Sequence, residues 1–154
     1  MQDNNSSTLI IGVGNEFRSD DRAGIVVSKK IKEKIGNKAK VIQHDGDGAS
    51  LIDMWKNAGK VILVDAVSYG AVPGKIHFVD AARNQLPKEI KHHSSHLFGI
   101  ADAVETSRVL KKLPPVFHIY GIEGKSFKNG TEMSREVINA VNRVVNKIIN
   151  DLSK

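Results

Sequence analysis

The amino-acid sequence predicts an α/β fold in which a mostly parallel sheet is covered by helices on both faces. Short β-branched runs alternate with longer amphipathic stretches along the chain, the pattern of strands joined by crossover helices. The 154 residues suit one ordinary domain with a core of its own, and no repeat, low-complexity tract or linker divides them. Residues 1–154 are therefore read as a single domain.

The elements follow in order. TLII opens a strand over 8–14, and IVVSKKIKEKI continues a helix over 20–35. Strands over 40–46 and 60–67 enclose a helix over 49–58. The segment SYGAVPG, 68–74, is rich in turn residues and too short for a crossover helix, so the strand it leads to, 74–80, is expected to run antiparallel to the third strand as its hairpin partner. A helix over 96–111 and a strand over 117–123 come next. In the last helix, 133–151, Val137, Val141, Val144, Val145 and Ile148 recur at three- and four-residue spacing, leaving Arg135, Asn142 and Lys147 for solvent. That stripe is core packing.

Composition excludes several chemistries. The chain has no cysteine, which removes a disulfide scaffold, a thiolate zinc site and a cysteine nucleophile together. The start MQDNNSSTLI lacks a basic region followed by a long apolar segment, and no apolar run reaches the roughly 18 residues of a membrane span. A soluble cytoplasmic protein without a membrane partner is expected. Formal net charge is +6, but the excess is spread through KKIKEK, KEIKHH and KKLPP without interleaved aromatics. A solvated surface accounts for this better than a nucleic-acid face does.

The stretch GVGNEFRSDDRAG between the first strand and helix invites a phosphate-loop reading. A dinucleotide fingerprint requires a third glycine where this chain has Phe17, and no Gly-Lys-Ser/Thr follows for a P-loop. Asp20 and Asp21 stand where the first helical turn begins. Carboxylates there gain about 0.3–1 kcal/mol from the helix dipole but repel an anion seeking the same amides. No nucleotide cofactor is expected. Asp20 reads as the N-cap of the helix, which leaves Asp21 to be explained.

Two further places bear on Asp21. KVILVDAV carries Asp65 near the carboxyl end of a central apolar strand, where a buried carboxylate is costly without a partner. HHSSHLFGIADAV sets His92, His93 and His96 before a helix, and each alone is an ordinary surface or capping group. If strands one and three lie side by side with connections leaving to opposite faces, a crevice opens beyond their carboxyl ends. Asp21 and Asp65 then border it, and two carboxylates with one imidazole form a partial shell for a divalent transition metal.

With those residues in view, the chain resembles the hydrogenase maturation endopeptidases, which trim a C-terminal extension from the large-subunit precursor of nickel-iron hydrogenases. The register is Gly12, Gly14, Asn15, Asp20, Asp21 and Gly24, followed by the Asp-Gly stretch in HDGDGASL, the strand-end pair Asp65 and Ala66, and the helix entry SSHLFGIADAV. The resemblance implies a three-layer α/β/α sandwich of the phosphorylase/hydrolase-like kind. Its five-stranded mixed, mostly parallel sheet has the order 2-1-3-5-4 with strand 4 antiparallel, which separates strands three and four. It also implies that Asp21, Asp65 and His96 are the catalytic and metal-contacting residues, and that nickel arrives in the precursor, the expected partner. His92 and His93 receive no role from it. Arg22 stands where many members have glycine, so a guanidinium beside Asp21 is expected to weaken metal affinity or to meet an acidic group of the partner. Glu16 stands where members are often apolar or small, as a solvated acid or one facing the substrate tail.

The implied reaction is amide hydrolysis without a serine, cysteine or aspartate-dyad nucleophile. Two alternatives stay open at this point. One is a conventional metallopeptidase with its own zinc, although His-Glu-x-x-His is absent. The other is a nickel-dependent checkpoint or escort protein that recognises the loaded precursor without cutting it.

Overall fold

The β-branched runs pair into one sheet. The computed structural model describes residues 7–88 and 98–154. Within them the strands are β1 (Thr8–Val13), β2 (Lys40–His44), β3 (Lys60–Val67), β4 (Ile76–Asp80) and β5 (Val116–Glu123), in the order β2-β1-β3-β5-β4. β1 pairs in parallel with β2 and β3, β3 pairs in parallel with β5, and β4 closes the edge antiparallel to β5.

β4 is therefore antiparallel to β3 in direction but is not its hairpin partner, which corrects the reading of SYGAVPG taken by itself. The reason is burial. Most of β5 is buried, including Phe117 and Ile122 with no exposure, so it needs neighbours on both sides. β4 has no fully buried residue and tolerates the edge. The 68–74 segment crosses the carboxyl end of β5: the Gly74 N–H donates to the Glu123 carbonyl at 2.7 Å, and the Glu123 N–H donates to the Lys75 carbonyl at 2.9 Å.

Helices α1 (Ala23–Ile35) and α4 (Arg135–Leu152) cover one face, and α2 (Gly48–Trp55) and α3 (Ile100–Val109) cover the other. Alternation along β3 supplies both cores. Ile62 and Val64 pack with Val27, Ile31 and the α4 stripe Val137, Val141, Val144, Val145 and Ile148, while Val61 and Leu63 pack with Trp55, Phe117 and Val104. Each fully buried side chain of this kind contributes about 1.5–3 kcal/mol. Trp55 meets Phe117 edge-on at 4.8 Å and donates its Nε1–H to Ser107 Oγ at 2.9 Å, so its polar atom is satisfied where α2 packs on α3.

The helix expected from residue 20 begins as a 3₁₀ turn, Ser19–Arg22, and becomes α1 at Ala23. Gly24 explains the close seating of that start. A Cβ there would lie 2.3 Å from the carbonyl oxygens of both Val13 and Val64, so only glycine lets α1 rest directly on the ends of β1 and β3. That seating places the turn carrying Asp21 over the sheet's carboxyl edge. The helix expected from residue 96 begins outside the described residues; within them α3 starts at Ile100, with the Asp102 carboxylate accepting the Gly99 N–H at 3.2 Å. Among the described residues no helix is long and apolar enough to cross a membrane.

Candidate active site

β1 and β3 are neighbours, and β1 leaves the sheet into the 3₁₀ turn while β3 carries Asp65 two residues before its end. Asp21 and Asp65 consequently line one cavity of about 380 Å³, together with Arg18, Asp45, Tyr69 and His77. Burial pushes the Asp65 carboxyl well above the usual range, and the neighbouring charge of Asp21 pushes it further, against a backbone hydrogen bond from Ala66. Burial also raises Asp21, opposed by the Arg18 cation and a backbone hydrogen bond from Asn15. Two carboxylates thus stand close enough to feel each other in a partly desolvated crevice. A divalent cation between them relieves both the repulsion and the lost hydration, so this donor set fits a hard or borderline metal ion.

His96, His92 and His93 lie outside the described residues. Within the described residues, no cluster of three His, Cys, Asp or Glu side chains suited to a metal forms, so Asp21 and Asp65 are the part of the expected ligand set that the structure brings together.

Asp20 is not the N-cap expected of it. α1 has no side-chain cap, and the fully buried Asp20 carboxylate turns the other way, into the loop before α4. There it accepts backbone N–H groups from Lys125 at 2.7 Å, Ser126 at 2.9 Å and Ser134 at 2.7 Å, and the Ser134 hydroxyl as well. Three backbone donors in one loop outcompete a single cap bond. The adjacent aspartates therefore divide, Asp20 fixing the loop and Asp21 facing the cavity.

The cation acting on Asp21 is Arg18, not Arg22. Arg22 sends its Nη1–H to the Thr131 carbonyl, away from the expected contact. Glu16 is ion-paired with Lys29 at 2.8 Å on the exposed side, which is the solvated alternative of the two readings.

The loop has little to offer a phosphate. The amides of Gly14, Asn15 and the five residues from 17 to 21 all donate within the protein, among them Gly14 to the His44 carbonyl at 3.0 Å and Asn15 to the Asp21 carbonyl at 3.2 Å. An anion would find its donors already engaged.

In HDGDGASL, Asp47 caps α2 by accepting the Ser50 N–H at 3.2 Å, while Asp45 borders the cavity. Sequence reasoning passed over His77 and Glu123, the latter only 2% exposed. A signal existed for Glu123: like Asp65, it is a carboxylate at the end of a buried strand.

The sheet order and this crevice define the class, a three-layer α/β/α sandwich with a cavity at the carboxyl ends of β1 and β3. A family model described as hydrogenase maturation protease matches residues 25–151. The protein MJ0253 of Methanocaldococcus jannaschii, which carries a hydrogenase maturation protease name, is 31% identical over 156 residues, spanning 95% of this chain and 96% of its own. Among solved structures, the hydrogenase maturating endopeptidase HybD from E. coli superposes with a TM-score of 0.80 at 18% identity, over 96% of this chain and 92% of that one. The [NiFe] hydrogenase maturation protease HybD from Thermococcus kodakarensis gives 0.70 at 25% identity, over 96% and 99%. The chain belongs to the hydrogenase maturation protease family, a family of peptidases.

Proposed function

We propose that this protein is the endopeptidase that removes the C-terminal extension from the large-subunit precursor of a nickel-iron hydrogenase, in the cytoplasm and after nickel insertion. Asp21, Asp65 and His96 receive the nickel of the substrate, and no nucleotide takes part. The observation that carries this reading is the convergence of Asp21, from the turn after β1, and Asp65, near the end of the neighbouring β3, on one cavity in which the charge of Asp21 raises the cost of ionising Asp65. A pair so placed supports binding of an ion that the partner brings. An ion held mainly by the partner's own ligands tolerates a shared, incomplete shell here better than a free ion does. Docking through that ion sets the scissile amide at a fixed place in the crevice and turns an encounter between two proteins into a positioned hydrolysis.

The test uses protein stripped with chelator and then mixed with nickel-loaded or nickel-free precursor. Cleavage of the loaded form alone supports the proposal. Equal cleavage of both contradicts the role of nickel, a requirement for added zinc favours a resident-metal peptidase, and tight binding without cleavage favours an escort protein.

A further inference from the structure

Three strands place three residues in one row. Asp65 of β3 pairs with Gly121 of β5, and Gly121 pairs with His77 of β4. Residues paired across neighbouring strands project to the same face, so Asp65 and His77 share the side on which the cavity opens, and both line it. Their backbones stand about 10 Å apart, two strand spacings, and the middle residue, a glycine, adds no side chain of its own between them.

Behind His77 lies Glu123, two residues beyond Gly121 on the same face and 2% exposed. Its Oε1 is 3.1 Å from His77 Nε2, and its Oε2 accepts the Tyr69 N–H at 2.9 Å. A carboxylate oxygen accepts, so the tautomer that fits this contact carries its proton on Nε2 and keeps a lone pair on Nδ1. Glu123 therefore fixes the ring and the loop beside it, while His77 stays 22% exposed at the cavity wall. The Tyr69 ring packs edge-on against the imidazole at 5.1 Å. A buried carboxylate is a costly way to close a loop, and apolar packing serves that end as well. What apolar packing cannot supply is an oriented imidazole.

We propose that His77, oriented by Glu123, is a binding subsite for the main chain of the precursor's extension, its Nδ1 accepting a peptide N–H. The identity of the ligand rests on the processing reading above. An extended chain advances about 3.3 Å per residue, so the subsite engages a residue about three positions from the one that lies over Asp65. Gly121, with the Val67 side chain beside it, forms the floor over which that chain passes.

The experiment compares binding of chelator-stripped protein to two probes: nickel-loaded full-length precursor, and the same nickel-loaded subunit lacking its extension, with association and dissociation recorded in the first seconds after mixing. Wild type binds the full-length form at least about tenfold more tightly. His77→Ala erases that preference while its melting temperature and its affinity for the shortened form stay at the wild-type level, which a merely structural role does not produce. His77→Gln, whose amide can donate to Glu123 and accept from the peptide, regains part of it. Glu123→Gln conserves shape but turns an N–H toward Nε2 and moves the ring proton to Nδ1, so it loses the preference too; if His77→Ala melts early, this variant decides. In the processing assay His77→Ala raises KM about tenfold and changes kcat little. A wild type that binds both forms equally, or a folded His77→Ala that keeps the preference, overturns the subsite and leaves the processing reading in place. A wild type that prefers the full-length form but never cuts it leaves the subsite standing and removes the processing reading.

Discussion

The carboxylate of Asp20 accepts the backbone N–H of Ser134 at 2.7 Å, joining residues 114 positions apart at the entrance to α4. With the Lys125 and Ser126 amides on its other oxygen, Asp20 holds the whole return loop against the turn that carries Asp21. Asp20→Ala strands these donors and is expected to cost about 3–5 kcal/mol, whereas Asp20→Asn keeps one accepting oxygen and costs about 1–3 kcal/mol. Urea unfolding measures both. Processing by Asp20→Asn persists at temperatures where it is folded; its abolition in a folded protein would place Asp20 in the chemistry.

Asp65→Asn and Asp21→Asn should each lower processing by roughly 10²–10³-fold, because the amide keeps the shape and loses the charge that meets a cation. The same change at Asp65 should stabilise the protein at neutral pH. The Asp65 carboxyl is raised well above 3.8 in the folded state, so its contribution to stability is fully present below about 3.8 and is lost as pH rises through the folded-state value. At pH 7 the wild type therefore carries a penalty that asparagine removes, so the variant should melt at a higher temperature than the wild type. The advantage should shrink on acidification and vanish below about pH 3.8. A variant that melts with the wild type at every pH contradicts this account of Asp65.

Two glycines should respond in opposite ways. Gly24→Ala drives a Cβ to 2.3 Å from two backbone carbonyls that cannot retreat, so loss of soluble protein or more than about 3 kcal/mol of stability is expected. Gly121→Ala meets Val67 Cγ1 at 3.1 Å and His77 Cβ at 3.5 Å, contacts that a side chain can ease. It should fold at a cost of about 1 kcal/mol and yet process poorly, since it fills the floor between Asp65 and His77. Thermal melts beside processing rates separate the two effects.

His96→Ala should stop processing, and His92→Ala and His93→Ala should be nearly silent. A ligating imidazole must be neutral, so processing by the wild type should also fall as pH drops below about 6. An essential His93 with a dispensable His96 would shift the ligand register along that segment.

Titration with NAD, ATP or GTP should leave the melting temperature unchanged, because the loop amides of Gly14, Asn15 and residues 17 to 21 donate internally. A ligand present at 100 times its dissociation constant would add about 2.7 kcal/mol, well within reach of a thermal-shift measurement.

Much of this molecule was legible as periodicity. The Val137 to Ile148 stripe, the β-branched strands and the short 68–74 connection are local patterns, and local patterns determine which segments become helix or strand and which face of each is apolar. The register from Gly12 to Gly24 with Asp65 likewise marked two candidate site residues that the fold brings to one cavity. Pairing and direction are different in kind. That β5, not β4, lies beside β3 follows from which strand needs burial on both faces. That Asp20 turns to Ser134 while Asp21 lines the cavity with Asp65 follows from a loop more than a hundred residues away offering three amides to one carboxylate. That His77 and Glu123 meet at the cavity wall follows from two strands separated by over forty residues coming into register. A side chain's partner is decided by whatever distant chain arrives beside it, and the identity of that chain is information held only in the tertiary structure.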